Sequence, residues 1–154
     1  MTKFLAGCLT LIIGVTAFAD NSIGIAYGKG EVRTNRSTTV WLDFWVASTE
    51  AGIYGHFSYE DKQRGGPSDN VRVWINRFLE FQCEDSAALF FGEGYVNGTP
   101  RIIGVYVRDA YWFPDEFGVA SFHPISGTLL YDRYGWFNRG GVSVLCELPN
   151  GPDN

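Results

Sequence analysis

The chain has 154 residues, with 12 basic and 17 acidic side chains and a net charge of −5. That length favours one domain. An acidic chain without a basic cluster repels phosphate backbones, which argues against a nucleic-acid partner. Nineteen glycines and 16% aromatic residues, with β-branched residues in alternation and no capped helical period, read as all-β.

The first stretch, residues 1–19, has the parts of an export signal: Lys3 as the positive n-region, an apolar run from Phe4 to Phe18, and Ala17-Phe18-Ala19 as an A-x-A cleavage site. The apolar run is shorter than the roughly 20 residues that a spanning helix needs. In "LAGC" at 5–8 the cysteine precedes the apolar run, whereas a lipid-attachment box places it after. The expected product is a single secreted or periplasmic β-domain, 20–154, with no membrane span after cleavage. Removing Lys3 leaves 11 basic against 17 acidic side chains. Cys8 departs with the signal, and Cys83 and Cys146 remain as an even pair in an exported chain. A disulfide is the natural reading, with two buried free thiols as the alternative. The bond would close a loop of about 60 residues and contribute roughly 4 kcal/mol on the chain-entropy model.

About nine strands follow. Residues 22–34 form a weak, glycine-broken strand, and "TTVWLDFWVAS" (38–48) a strong one. "GIYGHFSYED" (52–61) precedes a polar loop at 62–70. The long strand 71–83 places Val71, Val73, Ile75, Leu79 and Phe81 on one face, and Arg77 interrupts that face where a bulge is expected. Asn97-Gly98 reads as a type I′ turn between strands 87–96 and 100–109. That turn sets Gly92 opposite Ile103 and Gly104 opposite Phe91, so each glycine makes room for a large neighbour. Both faces of the hairpin are apolar, so one is core and the other is covered, partly exposed or joined to a partner. A loop at 110–116, strands at 117–123, 128–134 and 142–148, and a polar tail complete the chain. Such closely spaced strands imply an antiparallel β-sandwich or partly closed barrel.

No catalytic set is visible, and no cofactor motif. His56 and His123 are too few and too far apart for a zinc site. There is no G-x-S-x-G elbow, and "GEGYVNG" lies in a hairpin rather than before a helix, which fails the phosphate-loop test. Asn35 and Asn97 head glycosylation triplets, the second better explained as a turn. In "WLDFW", Asp43 shares a strand face with Trp41 and Trp45. A carboxylate between aromatic walls suits a general acid, with Glu80 or Glu93 as partner, and equally suits a strip where rings stack on sugars and the acid accepts hydroxyl bonds. A plain solvated face has the same pattern. Asp109, Asp115 and Glu116 supply hard oxygens for calcium, without the spacing of a standard calcium loop. Tyr111, Trp112 and Trp136 lie in loops, where aromatics serve glycan or protein recognition or cap the fold's ends.

The succession "GHFSYEDK", "ALFFGEGYVNG", "VYVRD", "DEFGV" and "LLYDRY…GGVSV" resembles a set of small secreted bacterial β-domains, some of them called post-COAP domains. Their pattern falls here on Phe57, Tyr59 and Asp61; Gly92, Gly94, Val96, Asn97 and Gly98; Val105, Val107 and Asp109; Asp115 and Phe117; and Gly140 with Gly141. The resemblance spans about 52–144 and implies an exported β-domain with no known enzymatic activity and no catalytic residues to carry over. The tryptophans, the two cysteines and the bulky "AYWFP" depart from that pattern. The sequence thus points to a non-enzymatic structural or binding module, with a carbohydrate-binding or carbohydrate-active protein as the alternative.

Overall fold

The computed structural model describes residues 21–63 and 65–147; the expected signal at 1–19 and the polar tail at 149–154 lie outside the described residues. Eight antiparallel strands follow one another around a closed barrel. They are β1 (Gly24–Thr34), β2 (Thr39–Thr49), β3 (Gly52–Lys62), β4 (Val71–Glu84), β5 (Ala87–Val96), β6 (Thr99–Arg108), β7 (Glu116–Phe122) and β8 (Leu129–Cys146). A short 3₁₀ turn, Pro67–Asp69, precedes β4. The barrel corrects the sandwich alternative, because β1 pairs with β2 on one side and with β8 on the other, so that every strand has two neighbours. Eight strands also correct the count of nine. The segments read as separate strands at 128–134 and 142–148 are one 18-residue strand, β8, which runs through the glycine-rich stretch between them.

The strands are steeply staggered. Trp136 of β8 pairs with Glu116 at the start of β7 and with Arg33 near the end of β1. Such stagger is what closing eight strands requires, and it leaves an interior just wide enough for side chains to fill. Here they fill it. Phe44, Phe57, Phe81, Phe90 and Phe117 are buried inside with the valines of β1, β2 and β6, and Phe57 packs against Phe44, Phe90 and Phe117 with ring centroids 6.0–6.5 Å apart. The charged Lys29, Asp43, Glu60, Arg72, Arg77 and Glu93 are on the outer wall. An apolar interior with a charged exterior is the reverse of a lipid-spanning barrel.

The Asn97-Gly98 turn has φ of 49° and 81°, and the predicted register of β5 with β6 holds throughout. The Phe91 ring covers bare Gly104, whose added Cβ would lie 2.8 Å from it. Both hairpin faces are indeed used: Leu89 and Phe91 pack outside the barrel with Ala120 and Phe122. The expected irregularity at Arg77 is a pair of register shifts, between Ile75 and Arg77 and between Phe78 and Glu80. They move Phe78 toward the core and leave Leu79 exposed, which corrects the single-face reading of β4.

Cys83 and Cys146 are bonded, with Cα atoms 5.6 Å apart. In a ring of eight strands β4 and β8 stand opposite each other, so the bond straps one mouth of the barrel. The start of the described chain lies beside it: Ser22 N donates to Phe81 O, and Phe81 N donates to Asn21 Oδ1. These residues take up pairing that β3 leaves, because β3 and β4 pair only from Phe57–Ile75 to Asp61–Val71.

Candidate functional site: an aromatic trough on the outer wall

Strand register builds the site. Side chains of β1–β4 that point outward fall into rows across the strands. One row runs Ser143, Tyr27, Trp45, His56; the next runs Gly141, Lys29, Asp43, Ser58, Trp74, Tyr95; the third runs Glu31, Trp41, Glu60, Arg72. The middle row is low at Ser58, and at Gly141 the Asp115 carboxylate takes the place of a side chain. Tyr27 and Trp45 stand on one bank and Trp41 on the other, Trp41 and Trp45 being roughly 13 Å apart along β2 by strand rise. The result is a trough made of two adjoining depressions of about 640 and 350 Å³. Lys29 and Asp43 line both.

The Lys29 Nζ–Asp43 Oδ2 pair, 3.1 Å apart, forms the saddle between them. Asp43 is therefore not enclosed between rings: its side chain is 49% exposed and faces a cation. Glu60, in the smaller depression, is held by Arg72 Nε at 3.4 Å and accepts from Asn70 Nδ2 at 3.0 Å. Lys62 Nζ lies 5.5 Å above the Trp41 ring. Trp74 stacks on Tyr95 at 5.4 Å, which fixes the ring that closes the trough's end. Trp41, Trp45, Tyr27 and Trp74 are each 37–46% exposed, so every ring presents part of a face to solvent.

Of the residues singled out from sequence, Trp41, Asp43 and Trp45 come together here. Glu93 does not: it pairs with Arg77 at 2.7 Å on β4–β5. Glu80 pairs across to Phe91 in the part of β4 beyond its pairing with β3. Trp136 lies on β8, edge-on to Tyr134, rather than in a loop. Tyr111 and Trp112 are at the tip of the loop between β6 and β7. Both carboxylate oxygens of Asp115 accept backbone N–H groups, Oδ1 from Ala110 at 2.9 Å and Oδ2 from Val142 at 2.7 Å. Glu116 faces Arg108 at 3.9 Å, and Asp109 N donates to Ser86 O. Among the described residues no three metal-ligating side chains form a group. His56 adjoins Trp45 in register, and His123 Nδ1 accepts from the backbone of Ile125 and Ser126 in a turn. Tyr27, Lys29 and Trp74 escaped sequence reading because only pairing brings β1 and β4 beside β2. Their signal was parity: Trp74 stands alone between inward Val73 and Ile75.

A second polar constellation lies inside the barrel near the opposite mouth. Asp61 is fully buried, and its Oδ2 accepts from Tyr131 OH and from Arg133 Nε, both at 2.8 Å. The Tyr131 proton is thus committed to Asp61, so Tyr59 OH donates to Tyr131. Burial raises the pKa of Tyr59 well above the ordinary tyrosine value and raises that of Tyr131 too, the latter helped by its bond to Asp61. This chain was missed although Phe57, Tyr59 and Asp61 alternate on one inward face. Of the fifteen positions in the motif order read from the sequence, six, Phe57, Tyr59, Asp61, Val105, Val107 and Phe117, face the interior. No family model, curated protein or solved structure matches the chain.

Proposed function

We propose that the protein is an exported, non-catalytic binding module whose outer trough holds an uncharged glycan chain. The observation that carries this reading is the arrangement of Tyr27, Trp45 and Trp41 around the Lys29–Asp43 pair, with Trp74 at the end. Flat rings cover the apolar faces of sugar rings, while the ion pair donates to and accepts from hydroxyls without leaving net charge in the groove. Glycoside hydrolysis needs two opposed carboxylates, one of them holding a proton. Asp43 is engaged by Lys29 and Glu60 by Arg72, which suits a surface that binds. Export is supported by the 1–19 pattern and by the disulfide, which persists in oxidising compartments. The resemblance of the motif order to post-COAP-like domains supports a non-enzymatic role.

Titration with soluble oligosaccharides, followed by tryptophan fluorescence and calorimetry, tests the proposal. Binding is expected, and Trp41→Ala or Trp45→Ala weakens it by roughly tenfold or more, as loss of one stacking ring does. Trp112→Ala leaves it unchanged. No signal with any neutral glycan, or loss on Trp112→Ala alone, removes the reading.

A further inference from the structure

Tyr111, Trp112 and Phe113 are 90%, 91% and 79% exposed. Three consecutive aromatic side chains held in water are costly to leave there and are unusual on a surface without a partner. The loop below them is fixed. Asp115 accepts from Ala110 and Val142 through its carboxylate, and its carbonyl accepts from Phe137 N at 2.9 Å. Those bonds turn the carboxylate down into the foot, and Glu116 faces Arg108. Residues 110–114, "AYWFP", are therefore an uncharged stretch presented on a preorganised base.

We propose that Tyr111, Trp112 and Phe113 form an interfacial anchor that enters the headgroup layer of a zwitterionic lipid bilayer. Side chains this exposed project from the surface, which fits them to a soft apolar phase. Tyrosine and tryptophan carry one polar handle each and settle at headgroup level, while phenylalanine reaches the acyl boundary. A loop cannot go deeper, because its free backbone groups would lose water. The net charge of −5 sets the lipid class: an anionic leaflet repels this protein. A protein partner would be met by a patterned polar rim, and the side chains of residues 110–114 offer only a phenol and an indole for hydrogen bonding. Tyr111, Trp112 and Phe113 are not among the residues that line the two depressions, although the foot of their loop, Asp115, bonds Val142 at the trough's edge; the anchor does not rest on the glycan reading.

The test uses phosphatidylcholine vesicles brominated near the acyl-chain head, which quench only tryptophans at that depth. Residues 1–20 contain no tryptophan, so any quenched emission comes from the β-domain, and the Tyr111 and Phe113 variants separate the loop's contribution from binding by the leader. Part of the emission is expected to be quenched, and Trp112→Phe abolishes the quenching. Tyr111→Ser/Phe113→Ser, with Trp112 intact, reduces it by roughly tenfold or more in apparent partitioning. Adding anionic lipid weakens the effect. Emission that ignores the vesicles overturns the proposal. Quenching that persists in Trp112→Phe also overturns it.

Discussion

At Asp61 a carboxylate with no solvent contact faces Arg133 inside a mainly apolar barrel. Removing one member of such a pair strands the other charge, at a cost of about 3–5 kcal/mol. Replacing both by apolar groups of similar volume is close to neutral. Arg133→Met alone is therefore expected to lower unfolding stability by roughly 3 kcal/mol or more, and Asp61→Leu/Arg133→Met to recover most of that loss in chemical denaturation. Asp61 Oδ1 has no partner among the described side chains. The tyrosines attached to this pair give a second expectation. Their folded pKa values are raised, so the neutral phenols favour the fold. Their contribution is complete below the unfolded tyrosine value of about 10 and is lost as pH rises past it toward the folded values. Ultraviolet titration should show Tyr59 and Tyr131 ionising only together with loss of the folded circular-dichroism signal. Ionisation of all eight tyrosines in the intact fold would contradict this.

The β5–β6 hairpin was fully legible in its sequence, because a two-residue turn fixes register locally and every later pair follows from it. β8 was not. Its glycines looked like a loop, yet Gly140 sits where β1 passes so close that an added Cβ would lie 2.0 Å from the Lys29 carbonyl oxygen. Only the pairing of the first strand with the last demands that glycine, and no local pattern announces it. Gly98 and Gly140 have nearly equal φ, 81° and 80°, but Gly98 opens onto empty space. Gly98→Ala should thus cost only the left-handed backbone penalty, about 1 kcal/mol. Gly140→Ala adds a backbone clash at the seam and should cost roughly 3 kcal/mol or more. Equal losses in urea unfolding would show that the seam relaxes freely.

Over the whole molecule, the first and last strands close the wall, and the Cys83–Cys146 bond ties opposite sides of one mouth. The all-β class, the cysteine pairing and the Trp41–Asp43–Trp45 strip were readable because each depends on composition or on a single strand. Closure, the trough's far bank at Trp74 and the buried Asp61 chain were not, because each needs strands brought together around a ring. Since hydrogen bonding already seals the barrel, the disulfide acts mainly on the unfolded chain, where it restricts a loop spanning 63 positions. Cys83→Ser/Cys146→Ser should lose about 4 kcal/mol, which lowers the melting temperature by roughly 10–20 °C for a domain of this size. The trough is built on β1–β4, with its edge on β8, and its lining contains neither cysteine. Glycan affinity measured well below the new melting temperature should accordingly stay within about twofold of the parent, since a strap that works through the unfolded state leaves the native wall unchanged. A variant that stays folded yet lacks the proposed glycan affinity of the parent would mean that the bond shapes the outer wall itself.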